Sequence, residues 1–297
     1  MEGHPVILSP EGTILPMIAL GGAGGIHQDS NAPEQVIKAP LKHNVQGCTQ
    51  EVIEMVESTE EFSNLCIDRE KLIYQALPKD PNILNCIAIT ERGIHVPYLR
   101  QGNVRQYLQT HSLDAQTRDR WIGSAIDAII TIHTYGIIHS DISARNFLVD
   151  DDLSIKLCDF AGSGINDLES LVGEESAYHS SPSLPRTFQT DIFALGSLIY
   201  EISTGIRPFA DIDDDEIEKR YTAQHFPSLR GVFYHDVISK CWRSQYRSVE
   251  ALKRDIPCSK HASYGRAIFS HIFWASTLAM VSVGCTVVYA FGKQRVR

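Results

Sequence analysis

His139-Ser140-Asp141-Ile142-Ser143-Ala144-Arg145-Asn146, followed ten residues later by Lys156-Leu157-Cys158-Asp159-Phe160-Ala161-Gly162, is the stretch on which the fold turns. Asn146 stands five residues after Asp141 and Asp159 eighteen after it, so two carboxylates and an amide recur at close spacing, with a short predicted strand, Ser154–Cys158, between them. Apolar residues flank this polar stretch. Trp121, Ile122, Ala125, Ile126, Ile129, Ile130 and Ile132 form one stripe at helical spacing and Phe193–Ile202 a second, which predicts two buried helices around a polar loop.

The two motifs resemble the catalytic loop and the metal-binding Asp-Phe-Gly of the eukaryotic protein kinase superfamily. Phosphoryl transfer explains the residue types: one carboxylate accepts the proton of an incoming hydroxyl, while a second carboxylate and an amide oxygen hold Mg²⁺ on nucleotide phosphates. The resemblance implies Asp141 as base, Asn146 and Asp159 as metal ligands, His139 as a support of the loop, and ATP with Mg²⁺ as cofactors. It also implies an α+β, bilobal fold: a small antiparallel-sheet lobe with one helix over residues 14–95, then a mainly helical lobe with the hinge over 96–255.

Upstream, Gln35-Val36-Ile37-Lys38 resembles the strand that carries the phosphate-pairing lysine, and Glu70 is its expected helical partner, with Glu54 as runner-up. Leu65, Leu72, Ile73, Ala76 and Leu77 give the helix around 54–77 a near-helical apolar period that Pro78 and Pro81 end. Leu20-Gly21-Gly22-Ala23-Gly24 precedes Lys38 as a nucleotide-covering loop should, because glycines let backbone N–H groups approach phosphate. No register of it gives the full G-x-G-x-x-G. Val96-Pro97-Tyr98-Leu99 resembles the adenine-receiving hinge, through the Pro97 carbonyl and the Leu99 amide. Thr190-Asp191 to Gly196 resembles the helix whose aspartate braces the catalytic loop, and Cys241-Trp242 with Arg247 the last element of the large lobe. The wording Asp-Ile-Ser-x-Arg-Asn and Asp-Phe-Ala-Gly-Ser is most similar to a group of small fungal kinase-like proteins.

Several positions depart from the family pattern. Ser140 replaces the arginine that pairs with an activation-segment phosphate, so that charge switch is not expected. Ser143 replaces a lysine, and Arg145 is the expected substitute cation, which leaves serine/threonine or tyrosine as acceptor open. Ala161 replaces the motif glycine. Ser181-Pro182-Ser183 lacks the glutamate expected to pair with Arg247.

The 297 residues are 43% hydrophobic and 21% charged, as in a globular protein, and the net charge of −9 argues against nucleic acid as a partner. Seven scattered cysteines without a CxxC pair predict a reducing compartment, and Met1-Glu2-Gly3-His4-Pro5 does not read as a secretory signal. Residues 268–291 hold no charged side chain, long enough as a helix to span a ~30 Å hydrocarbon core. That segment is the candidate transmembrane helix, a single-pass C-terminal membrane anchor for a cytosolic kinase body; a buried terminal helix is the alternative.

Three functions follow from this reading. The first is a protein kinase acting on Ser or Thr, with Tyr open, whose partners are ATP and a protein substrate. The second is a membrane-anchored, nucleotide-binding pseudokinase scaffold; the third is a small-molecule phosphotransferase of related fold. Retention of Lys38, Asp141, Asn146 and Asp159 favours the first, since a scaffold has no chemical need of all four.

Overall fold

A computed structural model describes residues 4–12, 17–21, 23–181 and 184–256. Strands β1 (Val6–Ile7), β2 (Met17–Leu20), β3 (Gly25–Gln28), β4 (Gln35–Ala39) and β5 (His43–Asn44) precede helix α1 (Gln50–Ala76), which β6 (Ala88–Thr90) and β7 (Gly93–Pro97) follow. Five of these strands form an antiparallel sheet in the order β2-β3-β4-β7-β6, and β1 pairs with β5. In that register Lys38 sits opposite Ile26 on one side and Ile94 on the other, the sheet's middle. Val36, Ile67, Leu84, Ile94 and Val96 form the core between sheet and helix.

Helix α1 starts at Gln50 because the Thr49 hydroxyl accepts from the Val52 amide, a side-chain cap. Its buried face is Val56, Cys66, Ile67 and Ile73, with Ser63, Arg69 and Glu70. Leu65 and Leu72, which the sequence period places on one apolar stripe with Ile73, are 51% and 42% exposed. The helix is longer than the period predicts, and its inward face is turned.

The rest of the described chain is mainly helical: α2 (Val104–Thr110), α3 (Ala115–Thr134), α4 (Phe188–Thr204), α5 (Asp214–Thr222), α6 (His235–Trp242) and α7 (Val249–Asp255). Short strands β8 (Ile137–Ile138), β9 (Phe147–Val149), β10 (Ile155–Leu157) and β11 (Gly164–Ile165) pair as β9 with β10 and β8 with β11. Trp121, Ile122, Ile126 and Ile129 of α3 and Ile192, Leu195, Leu198 and Ile199 of α4 lie in one buried cluster, as their spacing predicts. Thr187 and Thr190 make a reciprocal capping box at the start of α4, and Gly205, at φ +81°, ends it.

The kinase-like two-lobed architecture stands, but the transmembrane helix does not stand as part of the fold. Among the described residues no helix is long and apolar enough to cross a membrane. The segment 268–291 lies outside the described residues, and the membrane partner built on it has no support.

Where α4 crosses α6, the glycine is a packing requirement. A Cβ on Gly196 would lie 2.5 Å from the Cys241 Cβ, closer than carbon atoms pack. Gly196→Ala is expected to destabilise the protein by about 1–3 kcal/mol, measured by urea denaturation; an unchanged midpoint would show that the α4–α6 contact yields freely.

Candidate active site

Three residues distant in sequence meet at one ammonium. Lys38 Nζ on β4 lies 2.6 Å from Glu70 Oε2 on α1 and 2.5 Å from Asp159 Oδ1 after β10. Burial alone would lower the Lys38 ammonium, but Asp159 and Glu70 outweigh it and hold its pKa well above the usual lysine range. Burial pushes the Glu70 carboxyl up, only partly opposed by Lys38, whereas Asp159 is pulled below its ordinary value by Lys38 in spite of burial. Glu70 Oε1 also accepts the Phe160 amide at 3.3 Å, so α1 holds the start of the activation segment directly. Glu54, the runner-up partner, is exposed and accepts from Gln50 instead.

Asp141 and Asn146 form a second unit. Asn146 Nδ2 donates to the Asp141 backbone oxygen at 2.6 Å and to Asp141 Oδ2 at 2.9 Å. This fixes the Asp141 carboxylate while its Oδ1 is buried without a hydrogen-bond partner among the described residues. Burial raises the Asp141 pKa to about 7, opposed by the Asn146 bond and by Arg145 and reinforced by the charges of Asp159 and Glu175. A carboxylate oxygen with no donor already on it has the lone pairs that a hydroxyl proton needs.

The loop carrying Asp141 is shaped from below. Asp191, wholly buried near the start of α4, accepts the His139 amide at 2.9 Å, the Ser140 amide at 3.0 Å and His133 Nε2 at 2.8 Å. These bonds hold Ser140 at φ +69°, a backbone region L-residues seldom occupy. His139 Nε2 donates to the Cys158 carbonyl at 3.1 Å and Nδ1 accepts the Asp141 amide at 3.3 Å, which fixes the neutral tautomer; burial lowers its pKa accordingly.

The remaining predicted residues fall around these units. Leu20 ends β2 half exposed, and Gly21 donates to the Gly24 carbonyl at 3.0 Å, closing the β2–β3 turn. Gly24 permits a close approach, since a Cβ there would lie 2.6 Å from the Ala39 carbonyl, one residue from Lys38. Gly22 lies outside the described residues. Pro97 ends β7 opposite Gln35, and no hydrogen bond among the described residues uses the Leu99 amide, which leaves it for a ligand acceptor. Arg145 is half exposed, its Nε 2.8 Å from Glu175 Oε1.

Several contacts had no local signal. Arg69 Nη1 donates to the carbonyls of Ser163 at 2.6 Å and Glu169 at 2.7 Å, tying α1 to the activation segment. Ser140 Oγ, where the family arginine would stand, meets Ser170 Oγ at 2.5 Å. Arg105 on α2 pairs with Glu175 at 2.9 Å and with Glu201 on α4 at 2.8 Å, and Tyr178 donates to Glu201. Arg247 is exposed and makes no ion pair among the described residues, while Glu174 and Arg186 form a buried pair at 2.8 Å. The absent arginine at 140 and the absent glutamate partner of Arg247 were legible in the motifs; the partners of Arg69, Arg105 and Arg186 were not.

With the geometry in place, comparison with known proteins agrees with it. Residues 36–262 match the protein kinase domain family, and the chain belongs to that family. It is 25% identical over 227 residues to the serine/threonine/tyrosine-protein kinase HT1 of Arabidopsis thaliana, covering 65% of this chain and 58% of that protein. Similar likenesses link it to the serine/threonine-protein kinase RUNKEL of Arabidopsis thaliana, at 28% over 68% of this chain and 15% of that one. The tyrosine-protein kinase Drl of Drosophila melanogaster matches at 28% over 61% of this chain and 33% of its own length. The match thus spans less than two thirds of these relatives.

Asp191→Asn tests the brace: it replaces one acceptor oxygen by a donor facing backbone N–H groups. A loss of about 1–3 kcal/mol is expected, read from the thermal midpoint; an unshifted midpoint would remove Asp191 as the loop's anchor.

Proposed function

We propose that this chain is an ATP- and Mg²⁺-dependent protein kinase that transfers the γ-phosphate to serine or threonine hydroxyls of protein substrates, with tyrosine as the further acceptor class. Membership in the protein kinase domain family supports the reading, and the observation that carries it is the pinned Asp141 carboxylate with its orphaned Oδ1. We take 14–95 and 96–255 as the two lobes. The cytosol is the proposed setting for the kinase body, supported by the scattered cysteines, of which the five described are free. The Asp-Ile-Ser-x-Arg-Asn and Asp-Phe-Ala-Gly-Ser wording supports a finer placement among small fungal kinase-like proteins.

ATP supplies the phosphoryl group, and Mg²⁺ offsets charge on its phosphates. Asn146 and Asp159 are the residues that would hold the metal: the Asn146 amide oxygen accepts no hydrogen bond among the described residues, and it is Oδ1 of Asp159 that meets Lys38. Lys38, held by Glu70, would orient phosphate oxygens, and Leu20, Gly21 and Gly24 would cover them. The Pro97 carbonyl and Leu99 amide receive the purine edge. Asp141 orients the acceptor hydroxyl and takes its proton at Oδ1. Arg145, steadied through Nε by Glu175, presents the rest of its guanidinium beside the base as a counter-charge.

The test is a γ-labelled ATP assay on the full chain with Mg²⁺ and a mixed protein substrate, followed by phosphoamino-acid analysis. Asp141→Asn is expected to lower transfer by on the order of 10²–10⁴-fold while nucleotide affinity stays unchanged. Lys38→Met is expected to abolish transfer as well. A wild-type rate in Asp141→Asn refutes the assigned base, and no transfer by the wild type returns the chain to the scaffold reading.

A further inference from the structure

A short polar side chain inside a helix can bond the carbonyl one turn back. On α1, Thr59 does so, its hydroxyl donating to the Met55 carbonyl at 2.9 Å, and the Asn64 amide donates to the Glu60 carbonyl at 2.8 Å. Ser63 reaches out of the helix instead. Its Oγ donates to the Ala23 carbonyl at 2.9 Å, 40 residues away in the glycine turn between β2 and β3, and accepts the Leu41 amide at 2.8 Å, just past the end of β4. Ser63 is wholly buried, so water does not reach the hydroxyl. The turn it holds is itself closed by the Gly21 amide on the Gly24 carbonyl, so fixing the Ala23 carbonyl fixes the turn.

The same face of α1 continues to the lysine. At about 100° per residue, Ser63, Ile67 and Glu70 lie within one strip of roughly 60°, and each is buried. Ile67 backs the turn, since a Cβ on Gly24 would come within 3.2 Å of its Cδ1. Glu70 Oε2 meets Lys38 Nζ at 2.6 Å. With a rise of about 1.5 Å per residue, Ser63 and Glu70 stand about 10 Å apart along one helix. The glycine turn and the ammonium are thus fixed to two points of the same rod, and the phosphates of a nucleotide have to meet both. We propose that Ser63 is a positioning residue for nucleotide phosphate: through its hydroxyl, α1 sets the glycine turn relative to Lys38. The inference rests on the assignment of that turn and Lys38 to ATP, and it gives α1 a second tie to the site besides Glu70.

The experiment compares the affinity of the full chain for ATP with Mg²⁺ and for adenosine, which carries no phosphate, by titration calorimetry. The wild type is expected to bind ATP more tightly than adenosine. Ser63→Ala should weaken ATP roughly fivefold, the equivalent of one hydrogen bond, and leave adenosine unchanged, because the purine edge is received at Pro97 and Leu99. Thr59→Ala, which removes a hydroxyl bonded within the helix, should change neither. Thermal midpoints are measured alongside. Should Ser63→Ala not fold, Ser63→Cys keeps the side chain's shape with a weak donor and acceptor, and is judged by the same ratio of affinities. Equal loss of ATP and adenosine, or loss of neither, overturns the positioning role and leaves the kinase reading in place. A wild type with no preference for ATP over adenosine overturns the phosphate site itself, and the inference with it.

Discussion

The structure depends on one buried ammonium shared by two carboxylates. Lys38 comes from the middle of the sheet, Glu70 from the helix packed on it and Asp159 from the loop after β10. Removing one member of a buried ion pair leaves an uncompensated charge and typically costs about 3–5 kcal/mol. Glu70 is nearly inaccessible to water, so it tolerates ionisation only with Lys38 beside it. Sheet, helix and the loop after β10 are therefore held in one arrangement, and the Glu70 bond to the Phe160 amide carries that arrangement into the segment that follows.

A second constraint acts from beneath. Asp191 gathers two consecutive backbone amides and one imidazole on its two oxygens, a paired polar cluster in a dry interior. The loop it holds presents Asp141 upward. The activation segment is tied by the hydroxyl pair of Ser140 and Ser170, by the Arg69 guanidinium on two carbonyls, and by Arg105 and Arg145 on Glu175. Arginine is missing at position 140, and hydrogen bonds from elsewhere order the segment.

Much of the site was legible because its chemistry is local in the chain. Asp141 and Asn146 are five residues apart within one motif, and the structure adds that they touch. The stripes of α3 and α4 were legible for the same reason, since a fully buried helix leaves little doubt about its inward face. The α1 stripe was misjudged. Apolar residues occur on more than one side of this helix, so Leu65 and Leu72 read as core although Cys66, Ile67 and Ile73 are the buried ones.

The sequence alone marked the two buried helices around Asp141, the short strand before Asp159, the prolines that end the first helix and, through motifs that resemble those of a known family, the polar groups of the site, because each of these is written within a few residues of chain. Tertiary structure alone decided the partners across the chain: Lys38 with Asp159, 121 residues apart, and Arg105 with Glu201, 96 apart. A long-range ion pair leaves no periodic trace in the sequence. Its existence depends on how packed layers happen to aim two flexible side chains, and that is set by the whole core at once.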